Sequence, residues 1–131
     1  EHKGAKGPRY VECSFLVPFH RNSDLRRHRP MVWSLLTNAF RQAFGGFSGP
    51  RRIVMFRSID TMPGEWTDPR TGRRVHDQSR QFVVALPEER LDDLRALLRK
   101  VANSFDQEEI YLSVRGEVEF IKPVPKDGLL D

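Results

Sequence analysis

Residues 81–121, QFVVALPEERLDDLRALLRKVANSFDQEEIYLSVRGEVEFI, change hydrophobic period twice. An apolar run over residues 82–86 stops at Pro87. Leu91, Leu94, Leu98, Val101, Ala102 and Phe105 then recur at helical spacing, with Leu97 at the margin of the stripe. From Ile110 the spacing falls to two, and Ile110, Leu112, Val114, Val118 and Phe120 share one parity. Helical spacing puts those residues on one side of a helix, and alternation puts them on one side of a strand. Strand, helix and strand each carry one apolar face, and they bury those faces best against one another.

The preceding residues repeat the same logic. Residues 10–17 alternate, with Val11, Cys13, Phe15 and Val17 on one face and Tyr10, Glu12 and Ser14 on the other, until Pro18 ends the strand. Residues 19–29 are a polar connector holding His20 and His28 at no metal-binding spacing. Pro30 suits the first turn of a helix whose stripe is Val32, Leu35, Leu36, Ala39, Phe40 and Ala43. Trp33 falls off that stripe, where it would cover a loop or sit at an interface. Gly45-Gly46 reads as the helix stop. Residues 53–56 read as a short strand, followed by a long irregular segment whose Pro-Gly and Asp-Pro-Arg-Thr-Gly elements predict turns in a protruding hairpin or loop. Gly116 preserves the even-numbered parity, which predicts a bend or bulge inside one long last strand; a turn at Arg115-Gly116 is the alternative.

The resulting order, strand-helix-strand twice with a hairpin between, predicts an α+β fold. It is the ferredoxin-like βαββαβ plait, a four-stranded antiparallel sheet with both helices on one face. Residues 10–121 form the single domain expected of a 131-residue chain. Residues 1–9 read as a flexible basic arm and residues 122–131 as a loose C-terminal tail. No apolar run approaches the roughly 20 residues of a membrane-spanning helix, so no membrane role is expected. Cys13 is the single cysteine, which excludes an intrachain disulfide and suits a reducing cytoplasm. It alternates with apolar residues and reads as a small core side chain. No cofactor and no metal site is expected.

Charge is unevenly spread. Residues 1–80 hold 15 Lys/Arg against 7 Asp/Glu, and residues 81–131 hold 7 against 11. The densest polar and aromatic cluster is the irregular segment, with Glu65, Trp66, Arg70, Arg73, Arg74, His76 and Asp77. Gln107, Glu108 and Tyr111, where the second helix gives way to the last strand, complete the candidate site. The sheet face turned away from the helices would show Tyr10, Glu12, Ser14, Val83, Ala85, Tyr111, Ser113 and Arg115, a mixed surface of the kind that meets a partner.

The segments FGGFS (44–48), PGEW (63–66), DPRTGRRVHDQSRQFVVALPEERLDDLRALL (68–98) and FDQEEIYLSVRGEVEFI (105–121) resemble an uncharacterised family of small bacterial proteins. That family is marked by a Gly-Gly-aromatic element after a helix, an Asp-Pro-x-Thr-Gly turn, an Asp-x-Ser before a strand, and a Phe-x-Gln followed by an aliphatic-Tyr pair. The resemblance implies no activity. With no recognisable catalytic set, the expectation is a non-enzymatic binding or assembly module. It would self-associate or dock a protein partner through the open sheet face and the basic loop at residues 60–80. Two alternatives stand beside it. One is nucleic-acid binding, with Arg70, Arg73 and Arg74 on phosphate and Tyr10 and Tyr111 stacking on bases. The other is a small acid-base or metal-dependent enzyme built on Asp77 and Glu108.

Overall fold

The computed structural model describes residues 9–44, 55–60, 64–67 and 74–130, with the backbone alone for 55–60, 64–67 and 74–77. The elements run β1 (Tyr10–Pro18), α1 (Pro30–Ala43), β2 (Met55–Asp60), β3 (Gly64–Thr67), β4 (Arg74–Asp77), β5 (Ser79–Pro87), α2 (Leu91–Ser104), β6 (Ile110–Val114) and β7 (Glu117–Ile121). One sheet has the order β2-β5-β1-β6-β7, every neighbouring pair antiparallel. β3 and β4 pair as a separate hairpin, within the segment expected to protrude. The fold is the α+β plait, with β1 at its centre between β5 and β6. The basic arm before Arg9, the Gly45-Gly46 stop, Arg70 and Arg73 lie outside the described residues.

The alternation of β1 decides which side is covered. Val11, Cys13, Phe15 and Val17 join Phe82, Val84 and Leu86 of β5 and Ile110, Leu112 and Val114 of β6 in one buried cluster. Leu36 and Phe40 of α1 and Leu94, Leu98, Val101 and Ala102 of α2 complete it. Both helices therefore cover the same side of the sheet. Phe15 sits at the middle of this layer, fully buried. It stacks on Phe82 at 5.0 Å between ring centroids and on Phe40 at 5.5 Å. Trp33, off the α1 stripe, covers the connector: it meets Phe19, His28, Phe82 and Phe105. Ala43 is exposed, and Phe44 takes the place expected of it in the core.

The sheet has five strands rather than four, because residues 110–121 fold as a hairpin and not as one bulged strand. Val114 pairs with Glu117 across Arg115 and Gly116, whose φ values are 53° and 83°. Two consecutive positive φ angles in a two-residue loop are the signature of the tight hairpin turn that follows the twist of its strands. The turn reverses the expected parity. Val118 lies opposite Ser113 and Phe120 opposite Tyr111, so both point to the uncovered side, where they are 48% and 56% exposed. Glu119 and Ile121 take the helix side instead. There Arg95 of α2 grips the Glu119 carboxylate with two hydrogen bonds, at 2.9 and 2.8 Å.

The C-terminal segment is also not loose. Asn103 donates to the carbonyls of Val124 and Gly128, Arg99 pairs with Asp127 at 2.8 Å, and Ser104 Oγ accepts from the Leu130 amide. Leu130 is buried against the core. Three apolar residues, Val124, Leu129 and Leu130, carry too weak a period to announce this.

Candidate functional site

Helices cover one side of the sheet, and the other side holds a depression of about 490 Å³. Its floor comes from three adjacent strands and the β6–β7 turn. Tyr10, Glu12 and Ser14 alternate along β1, Gln81 and Val83 along β5, Ser113 lies on β6, and Arg115 and Gly116 form the rim. Register explains the convergence. Ser14 pairs with Val83 on one side and with Ser113 on the other, so two hydroxyls and an apolar patch sit abreast. Glu12 lies one pleat away, opposite Ala85.

Among the described residues lining the depression, Glu12 is the one carboxylate and Arg115 the one cation. Arg115 projects from the turn and donates to the carboxylate of Glu88, just before α2. Glu88 also lies 3.8 Å from the Arg9 guanidinium. Tyr10 leaves 40% of its surface exposed at one end of the face, and Tyr111 packs edge-on against Phe120 toward the other. Tyr111 is opposite Leu16 in the register, which sets the two tyrosines about 20 Å apart along the strand direction.

Cys13 borders the depression but points its side chain to the core, 1% exposed. Burial pushes its thiol up to about 11, so the thiolate a nucleophile needs is scarce at neutral pH. Its reading as a core residue stands. Among the described residues, no group of three or more His, Cys, Asp or Glu side chains is placed to hold a metal ion.

None of the residues nominated from the sequence is among the described residues that line the depression. Trp66, Arg74, His76 and Asp77 belong to the β3–β4 hairpin, where the backbone pairs Glu65 with His76, Trp66 with Val75 and Gly64 with Asp77. Gln107 ties the end of α2 to the connector, donating from Nε2 to the carbonyls of His20 and Phe105, both at 2.9 Å. It satisfies backbone groups, as its position at a helix end predicts. Glu108 is exposed and accepts from Asn22 at 3.5 Å. Neighbouring Asp106 takes two hydrogen bonds from Ser23, from the amide and from the hydroxyl. These bonds hold its carboxyl below the usual range. Gln107 and Glu108 therefore serve the joint between connector and α2, away from the depression. Tyr111 is on the uncovered face but beyond the depression's lining. The better signal was the plain alternation of β1, β5 and β6, which marks Tyr10, Glu12, Ser14, Val83, Ser113 and Arg115 for the uncovered face.

No family model matches the chain, and no curated protein matches it in sequence. Two solved structures share the fold. A phage SAM lyase in complex with S-methyl-5'-thioadenosine superposes with a TM-score of 0.59 at 19% identity, over 89% of this chain and 92% of that one. A phage SAM lyase in its apo state gives 0.58 at 17% identity, over 93% and 95%. This likeness corrects the expectation of a non-enzymatic binding or assembly module. A plait matched along nearly its whole length serves an enzyme, and an open sheet face is not in itself the mark of a docking protein. Neither alternative is carried further. The two tyrosines are too far apart to stack on adjacent bases, and Glu108 is engaged at the connector. Among the described residues, no helix is long and apolar enough to cross a membrane.

Proposed function

We propose that this chain is an enzyme that binds a sulfonium nucleoside of the S-adenosylmethionine class on the uncovered sheet face and breaks its carbon–sulfur bond. The supporting observation is the polar depression of about 490 Å³, in a plait that resembles a SAM lyase. Its volume falls within the ~300–1,000 Å³ range of small-molecule sites. Its lining suits such a substrate part by part. The Glu12 carboxylate complements the cationic sulfonium and ammonium groups. The Ser14 and Ser113 hydroxyls and the Gln81 amide can meet ribose and base. The Tyr10 ring offers an aromatic surface at the edge.

The chemistry makes modest demands on these side chains. The α-carboxylate of the four-carbon arm attacks the arm carbon bonded to sulfur, so that a carbon–oxygen bond closes a five-membered lactone as the carbon–sulfur bond breaks. The electron pair of the broken bond stays on sulfur, and the positive sulfonium leaves as the neutral thioether S-methyl-5'-thioadenosine. The leaving group needs no proton, so the site requires no general acid beside the sulfur. Its contribution is to hold the four-carbon amino-acid arm and the nucleoside in one orientation. This reading carries with it a cytoplasmic location, which the free thiol of Cys13 supports.

Incubation with S-adenosylmethionine followed by chromatography tests the proposal. S-methyl-5'-thioadenosine should accumulate in proportion to enzyme, and Glu12→Gln should raise KM about tenfold by removing one charge-assisted contact. Release no faster than in the protein-free control would remove the reading.

A further inference from the structure

Arg115 occupies a position its side chain does not favour. Both residues of a turn of this hand have positive φ, and Asn-Gly is the pair that adopts it at least cost. A long side chain at φ 53° sits in the left-handed region, where its Cβ crowds the following carbonyl and the backbone is strained. The outlier lies at the rim of the depression, where Arg115 is the one cation among the described lining residues. Strain kept at the edge of a site points to use. The guanidinium is already occupied by a carboxylate, that of Glu88, with the Arg115 side chain 50% exposed and Glu88 37%. A pair this open to water contributes little to stability, so exchanging one carboxylate for another is inexpensive.

We infer that Arg115 is the specificity-determining residue for the α-carboxylate of the substrate's amino-acid arm, with Glu88 as the internal carboxylate that the substrate displaces. This rests on the sulfonium-nucleoside reading above. Arg presents a planar fork matched to a carboxylate, and the two-residue turn holds its backbone in place. Substrate entry moves Glu88 off the guanidinium. Bond cleavage separates the carboxylate from the nucleoside, and the thioether that remains has nothing for Arg115 to hold. Glu88 then returns, and release of the nucleoside is favoured. The same residue thus separates substrate from product.

Two inert probes isolate the carboxylate. S-adenosylhomocysteine carries the amino-acid arm on an uncharged sulfur and cannot undergo the cleavage. S-methyl-5'-thioadenosine carries the nucleoside without the arm. Calorimetric titration of the full chain should show both probes binding the wild type. Arg115→Asn keeps the turn relaxed while removing the cation. It should weaken S-adenosylhomocysteine about tenfold and leave the thioadenosine within twofold. Arg115→Lys should recover part of that loss. Glu88→Gln should tighten S-adenosylhomocysteine about threefold without affecting the thioadenosine. Equal weakening of both probes, or an Arg115→Asn variant with unchanged S-adenosylhomocysteine binding, overturns the assignment and leaves the nucleoside site standing. Failure of both probes to bind the wild type overturns the site and the assignment together.

Discussion

Replacing Phe15 tests the claim that one side of the sheet carries the whole core. Phe15 is fully buried on the central strand, with Phe40 of α1 and Phe82 of β5 stacked on it, their planes within 8° and 13° of its own. Truncating a buried Phe to Ala costs about 3–5 kcal/mol through lost transfer energy and the cavity left behind. Each ring pair adds about 0.5–1.5 kcal/mol beyond area burial. With two such pairs, Phe15→Ala belongs in the upper half of that range, about 4–5 kcal/mol. A domain of ordinary stability has about 5–15 kcal/mol in total. Phe15→Leu keeps most of the apolar volume and loses the stacking, so about 1–2 kcal/mol is expected. Urea denaturation followed by far-ultraviolet circular dichroism measures both, with an unchanged slope showing that the transition remains comparable. A double-mutant cycle pairing Phe15→Leu with Phe82→Leu should return a coupling of about 0.5–1.5 kcal/mol. A cost below about 2 kcal/mol for the alanine variant, or no coupling, would mean that these rings are not packed together. The placement of both helices over this face would then fail with it.

Gly116→Ala should lower stability by about 1 kcal/mol and the melting temperature by about 3 °C. A Cβ at that position meets nothing within 4 Å, so the cost comes from positive φ alone, and a neutral result would contradict the turn. His28 supplies a pH signature. Among the described residues its Nε2 is buried without a hydrogen-bond partner, the ring is enclosed by Trp33 and Phe105, and burial holds the imidazole below its ordinary 6.5. The groups that act on it are the Pro18 backbone, Arg21, His20 and Asp106. With the folded pKa depressed, the unfolded chain binds the proton first. Stability is therefore complete above 6.5 and falls as the pH drops toward the lowered folded value, and a His28→Phe variant should show a flatter profile in thermal melts between about pH 7 and 5. The Arg95 grip holds Glu119 below the usual carboxylate range. Its contribution is present above that range and lost as pH falls through the lowered value. Glu119→Gln should thus cost about 1 kcal/mol at neutral pH in urea melts and progressively less in acid.

Local periodicity carried most of the fold. The leucines of α2 and the alternation of β1 define faces within one element, and faces settle which elements share a core. The stripes that hold Leu36 and Leu94 therefore point to one shared core, where both are buried. The same alternation outlined the depression. Polar and aromatic density drew the nominated site to residues 65–77, whereas the described lining of the depression comes from residues on three strands distant in sequence. No local pattern announces that Ser14, Val83 and Ser113 lie abreast, since register across strands is a tertiary property. The grip of Arg95 on Glu119 and the burial of Leu130 were hidden for the same reason. The last strand misled for a narrower one. An even-numbered apolar series continues unbroken through Gly116, and only backbone geometry distinguishes a bulge from a turn there.

That turn has a further consequence. Side chains in β7 point up or down according to how many residues separate it from β6. Deleting or inserting one position at Arg115-Gly116 would exchange every outward group for its neighbour. Glu119 would leave Arg95, Ile121 would turn to water, and Val118 and Phe120 would press against α2. Small changes in loop length at this point would therefore rewrite the chemistry of the uncovered face in a way that point substitutions could not.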